Sequence, residues 1–191
     1  MALSKIDAAN FLTGTIPQGN VANASLGAVT ALPAAIATGK VLQVVSSLKT
    51  AAQTITTDSD TGTNISGLSA TITPSATSSK IFIVASVTYS KPGDTYGTLG
   101  CVTLARGSTL IGEGGNNQAS QTTSGMNDST ANQAIVTVPI SFLDSPSTTS
   151  ATTYNVQLKN NHGGSQTMYV NASKTASHRG SSTITVMEIA G

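Results

Sequence analysis

From residue 41 onward, apolar and polar side chains alternate with a period of two, the spacing that sends successive residues to opposite faces of a strand. Lys80 to Ser90 shows it most clearly. Ile81, Ile83, Ala85, Val87 and Tyr89 share one face, and Phe82, Val84, Ser86 and Thr88 the other. Both faces begin apolar and one turns polar, which predicts a strand running from a core towards an edge. The same pattern predicts strands over 41–45, 54–56, 68–72, 98–106, 108–112, 134–143, 152–159, 166–171 and 182–189. Within 134–143, Val136, Val138, Ile140 and Phe142 lie on one face, and Pro139, which has no N–H to give a ladder, marks an edge or a bulge. The final segment, 182–189, is among the most apolar, which predicts a central place in its sheet.

Turn-forming clusters separate these runs, as in Asp58-Ser59-Asp60-Thr61-Gly62, Lys91-Pro92-Gly93-Asp94, Asp144-Ser145-Pro146 and Asn160-Asn161-His162-Gly163-Gly164. About ten short strands without a helical period predict an all-β antiparallel sandwich of the jelly-roll kind. Residues 112–131 carry almost no apolar anchor and read as a long exposed loop. Residues 1–39 differ: breakers at Gly14, Pro17, Gly19, Gly27, Pro33 and Gly39 interrupt every apolar period. They still hold more apolar residues than a solvated linker needs. The chain therefore divides into an extended N-terminal arm, 1–39, and a β domain, 40–191.

Composition narrows the function. Of 191 residues, 55 are Ser or Thr, 9% are charged and 4% aromatic, and the formal net charge is +1. So little charge provides no electrostatic capture of nucleic acid. The N-terminus lacks the apolar run of a secretory signal, and no stretch is long and apolar enough to insert in a membrane. The expectation is a protein made and kept in a cytoplasm, or leaving it by lysis. One cysteine, Cys101, excludes an internal disulfide. With two histidines, His162 and His178, far apart in sequence, there is no metal-ligand spacing. A calcium-loop-like stretch at Asp58 and Asp60 has its glycine one position early and Ser69 where a calcium loop needs Glu. Neither a nucleophile elbow nor a phosphate loop occurs, and the carboxylates are scattered. The expectation is a non-enzymatic protein with no cofactor and no metal.

Several spaced segments carry a resemblance. Thr73-Pro74-Ser75-Ala76-Thr77-Ser78-Ser79-Lys80-Ile81 leads into a strand, followed by Leu104-Ala105-Arg106-Gly107-Ser108-Thr109 and Ser141-Phe142-Leu143-Asp144-Ser145-Pro146. Thr153-Tyr154-Asn155-Val156-Gln157 and Ser182-Thr183-Ile184-Thr185-Val186-Met187-Glu188-Ile189 complete the series, with an arm containing Gly14-Thr15-Ile16-Pro17 and Asn20-Val21-Ala22-Asn23. Together they resemble the tumour-necrosis-factor-like jelly-roll fibre proteins of tailed bacteriophages of the marine and cyanobacterial type. The resemblance implies a homotrimeric virion protein whose N-terminal arms are anchored on capsid, tail or baseplate proteins. So short an arm points to a short fibre, a spike or a capsid-surface (head) fibre rather than a long tail fibre. The alternative in the same class is a capsid-decorating or tail-adaptor protein without a receptor role.

Particular residues follow. Ile6, Phe11, Leu12, Ile16 and Val21 are the candidate virion anchors. Tyr96, Lys91 and Asp94 in one turn, Asn116 and Asn117 in the long loop, and His162 in another turn are candidates for contact with a host glycan or protein receptor. A tyrosine at a loop tip offers a stacking face with a polar handle. Arg106, Asp144 and Glu188 lie among apolar neighbours, where an unpaired charge is costly, and are expected to form structural ion pairs near strand ends.

Overall fold

The computed structural model describes residues 40–57, 62–90, 100–113, 123–124, 135–160 and 165–191, all within the compact unit Thr38–Gly191. They form eleven strands and no helix: β1 (Val41–Lys49), β2 (Gln53–Thr57), β3 (Thr63–Ile72), β4 (Lys80–Ser90), β5 (Gly100–Arg106), β6 (Thr109–Ile111), β7 (Thr123–Ser124), β8 (Val136–Asp144), β9 (Thr152–Asn160), β10 (Gln166–Val170) and β11 (Ser182–Ile189). The long loop expected over 112–131 thus contains a short strand. β7 pairs with Gly100 and Cys101 of β5, although its two residues are too few to leave an alternation in the sequence.

Two antiparallel sheets face one another. In the first, β1, β11, β4 and β8 lie side by side, and β10 with β2 continues the sheet beyond the last residues of β4. In the second, the order is β3, β9, β5 and then β6, with β7 also against β5. Apart from the β5–β6 hairpin, strands that pair are not consecutive in the chain, which crosses between the sheets at β2–β3, β3–β4, β4–β5, β7–β8, β8–β9 and β9–β10. This is the double Greek key of a jelly roll. β11 lies between β1 and β4, in keeping with its apolar sequence, while β8, which carries Pro139, pairs only with β4 among the described residues.

The core is what alternation demands. Ile81, Ile83, Ala85, Val87 and Tyr89 of β4 meet Ile184 and Val186 of β11, Val138 and Ile140 of β8, and Leu68, Ile72, Val102, Leu104, Tyr154, Val156 and Leu158 from the facing sheet. The second face of β4 corrects the expectation. The strand is flanked over most of its length by β11 and β8, and Phe82 and Val84 begin an apolar strip on the outer surface of the sheet rather than a second core.

Two buried tyrosines close the sandwich at opposite ends. At one end, Tyr89 Oη donates to the carbonyl of Gly100 at 2.8 Å, joining the end of β4 to the start of β5. Its ring occupies the space a Cβ on residue 100 would need, with atoms 2.5–2.9 Å away, so glycine is required there. At the other end, Tyr154 Oη of β9 donates to Asp144 Oδ2 of β8 at 2.7 Å.

Candidate functional site

The strand registers sort the connections by end. Tyr89 pairs with Val136, and Gly100 pairs with both Asn160 and Ser124. The described strand ends that flank 91–99, 125–134 and 161–164 therefore all lie at the Tyr89 end. At the opposite end, Val41 pairs with Ile189, Ile189 with Lys80, Ile81 with Asp144 and Ile72 with Thr152, and Ala190 N donates to Lys40 O at 2.9 Å. Residue 40, where the N-terminal region joins the β domain, is at this end. The receptor-contact candidates Lys91, Asp94, Tyr96, Asn116, Asn117 and His162, the anchor candidates Ile6, Phe11, Leu12, Ile16 and Val21, and the Asp58–Asp60 stretch lie outside the described residues.

The three charged candidates all lie at the Lys40 end. Arg106 Nη1 donates to both oxygens of Asp144, at 3.0 and 3.1 Å, and Asp144 is almost fully buried while the Arg106 side chain is one-third exposed. Because Tyr154 donates to the same carboxylate, two neighbouring strands of the second sheet, β5 and β9, together hold a charge carried by β8 of the first. Burial, then the hydrogen bond and the charge of Asp144, push the Tyr154 phenol well above its ordinary range, with Arg106 opposing. The tyrosine stays a donor at every physiological pH.

Glu188 departs from the expected ion pair. Its carboxylate is buried and is held by neutral donors: Gln43 Nε2 to Oε2 at 2.6 Å, and Ser75 N and Oγ to Oε1 at 2.7 and 2.6 Å. The other N–H of the Gln43 amide reaches the carbonyl of Thr73 at 2.7 Å. The acid thus ties β1 and β11 to the connection between β3 and β4. Burial pushes its pKa up, but the Gln43, Ser75 and Ser79 donors outweigh this and hold it at about 2, below the ordinary 4.5. Ser79 Oγ is a weak contributor, since it is buried without a hydrogen-bond partner of good geometry. Nothing in the sequence distinguishes such a site from an ion pair: the donors come from 113 and 145 residues away.

The remaining chemistry is sparse. Cys101 is buried; burial raises its pKa and neighbouring Lys159 draws it back only in part, which leaves a thiol rather than a nucleophilic thiolate. No group of three or more His, Cys, Asp or Glu that could hold a metal occurs among the described residues. No helix there is long and apolar enough to cross a membrane. Asn171, in a glycosylation sequon, is fully buried and donates to Lys49 O and Ala51 O, so its amide is not an acceptor site.

One open cleft of about 230 Å³ lies against β2 and β10, lined by Gln53, Thr54, Tyr169, Ser173, Lys174 and Arg179 among others. It is built by the 171–181 connection, in which Asn171 and Ala176 adopt positive φ and Ser173 Oγ accepts from His178 N at 3.2 Å. Sequence reasoning missed it because its polar groups come from two separated stretches whose adjacency depends on the pairing of β10 with β2. The cleft offers hydrogen-bonding groups and two cations, but no acid–base pair.

Comparison with known proteins yields no matching family and no matching curated protein. Among solved structures, the chain is similar to the Gt strain of infectious bursal disease virus (12% identity, TM-score 0.44, 78% of this chain and 37% of that one). It is also similar to the Gx strain of the same virus (12%, 0.40, 80% and 41%) and to its VP2 subviral particle (11%, 0.37, 77% and 38%). The chain thus spans well under half the length of the solved chains it matches.

Proposed function

We propose that this chain is a non-enzymatic virion protein, attached through residues 1–39 and directing the Tyr89 end of its jelly roll towards the host surface. The single observation that carries the proposal is polarity. Residue 40 stands at one end of the domain, whereas the strand ends that flank 91–99, 125–134 and 161–164 lie at the other. In a short fibre or spike, as the resemblance implies, the first end is proximal and the second distal. The near-neutral charge suits recognition by shape and hydrogen bonding, strengthened by several copies, better than electrostatic capture.

Adsorption tests this. Purified protein, added in excess to host cells, is expected to compete with infecting particles. Replacing Lys91, Asp94 and Tyr96 together by Ser is expected to remove the competition while leaving the melting temperature within about 2 °C. No competition by the wild-type protein refutes a receptor role and favours the capsid-decorating or adaptor alternative.

A further inference from the structure

The cleft against β2 and β10 is built on two cross-strand pairs. Tyr169 of β10 stands opposite Thr54 of β2, and Arg179 stands opposite Ala172 in an isolated bridge within the 171–181 connection. Partners in an antiparallel pair turn their side chains to the same face, and all four residues line the cleft. The connection itself is fixed in place. Asn171 Nδ2 donates to Lys49 O at 2.8 Å, and its Oδ1 accepts from Ser182 Oγ at 2.6 Å. Ala176 N donates to Ser173 O at 2.9 Å, and Gly180 N to Asn171 O at 3.2 Å. Gly180 lies so close to β4 that a Cβ there would meet Thr88 Cγ2 at 2.5 Å. Walls held in this way present their groups to a ligand with little further ordering.

Several polar groups of the cleft are not used by the fold. The Arg179 guanidinium, the Tyr169 and Thr54 hydroxyls and the Gln53 NH₂ make no hydrogen bond or ion pair with a described residue. Gln53 engages only its Oε1, which accepts from Ser66 N at 3.0 Å. Arg179 and Thr54 are exposed. Half-buried Lys174 adds a second cation, and no acidic side chain is among the described residues that line the cleft. Two of the chain's nine Lys and Arg thus meet in about 230 Å³, although the net charge of the whole is only +1.

We infer that this cleft binds a single carboxylated sugar residue. A guanidinium fork fits a carboxylate through two parallel N–H···O bonds, and Lys174 reinforces the charge. The Thr54 and Tyr169 hydroxyls and the Gln53 amide suit ring hydroxyls, and the tyrosine ring offers an apolar surface to the C–H groups of a pyranose. A bare inorganic anion would leave these neutral groups unused. The cleft is smaller than the roughly 300–1,000 Å³ of sites for drug-sized ligands, which admits one sugar and excludes a nucleotide.

Titration of the full chain with methyl glucuronide, followed by heteronuclear NMR, tests this. Millimolar binding is expected, with amide shifts confined to 52–54 and 169–179. Methyl glucoside, which lacks the carboxylate, is expected to bind about tenfold more weakly. Arg179→Gln, at an exposed position, is expected to weaken glucuronide binding by a similar factor with an unchanged melting temperature, and Arg179→Lys to recover part of it. Free glucuronic acid, run in parallel, separates the sources: binding of the glycoside assigns the site to a chain-linked sugar, and binding of the free acid alone to an unlinked one. No binding of either, equal affinity for the glucoside, equal affinity for inorganic sulfate, or full affinity in Arg179→Gln overturns the inference. Should that variant not fold, the comparison of glucuronide, glucoside and sulfate on the wild-type chain decides. These are measurements on the purified chain and involve no host cell, so this inference and the proposed function fail independently.

Discussion

Replacing Glu188 by Gln changes one atom at a site where three elements meet. The carboxylate accepts from Gln43 Nε2, Ser75 N and Ser75 Oγ, all at 2.6–2.7 Å. A glutamine keeps the shape but offers one acceptor oxygen and one donor NH₂, so in either orientation a donor faces a donor. The loss is one charge-assisted hydrogen bond, about 1.5–3 kcal/mol, plus part of the roughly 1–3 kcal/mol cost of leaving a buried donor unsatisfied. Together these give about 2–4 kcal/mol, a fall in melting temperature of roughly 5–15 °C for a domain of this size. The pH dependence adds a signature. The folded-state pKa of about 2 lies below the ordinary 4.5, so the charge stabilises the fold fully above pH 4.5 and loses that effect as pH falls towards 2. Because glutamine does not titrate, the gap between wild type and variant, measured by thermal melts followed by circular dichroism, is expected to be widest at pH 7 and to narrow below pH 4. A variant melting within 1 °C of wild type at pH 7, or a gap of the same size at pH 7 and pH 2.5, refutes the reasoning.

Other substitutions probe the two closed ends. Tyr154→Phe removes one donor to Asp144 and is expected to cost about 1–2 kcal/mol in chemical denaturation, with Arg106 still in place. Arg106→Ala leaves a nearly buried carboxylate held by Tyr154 alone; a loss of about 1–3 kcal/mol is expected, limited by the partial exposure of the arginine, and an unchanged melting temperature rejects a structural role for the pair. At the loop-bearing end, Gly100→Ala drives a Cβ into the Tyr89 ring and is expected to cost about 2 kcal/mol or more, with the Gly100→Ala/Tyr89→Ala pair less than additive in denaturant melts.

The strands were legible because alternation is a local signal. Lys80–Ser90 and Ser182–Ile189 have the bounds that their patterns predict, and the buried rank of β4 is the one its period assigns. β7 was not legible, being only two residues paired with Gly100 and Cys101. Nor was the role of Phe82 and Val84, since whether an apolar second face is core or surface depends on what packs over it, and a strand's own sequence does not say. The site chemistry divides similarly. Arg106 and Asp144 could be singled out as charges among apolar neighbours, but the neutral cradle around Glu188 is assembled by β1 and the 73–79 connection, which only the topology brings together. The polarity of the domain is another property of the strand registers rather than of any motif.

The most direct measurement of the proposed virion role is a search for this chain on intact viral particles purified from the cells in which it is made. Mass spectrometry of gradient-purified particles, with labelling by an antibody raised against residues 40–191, is predicted to find the chain in several copies per particle. The label is predicted at a surface projection, whether capsid or tail. Its absence from purified particles, while the protein is abundant in the infected cell, would contradict the account.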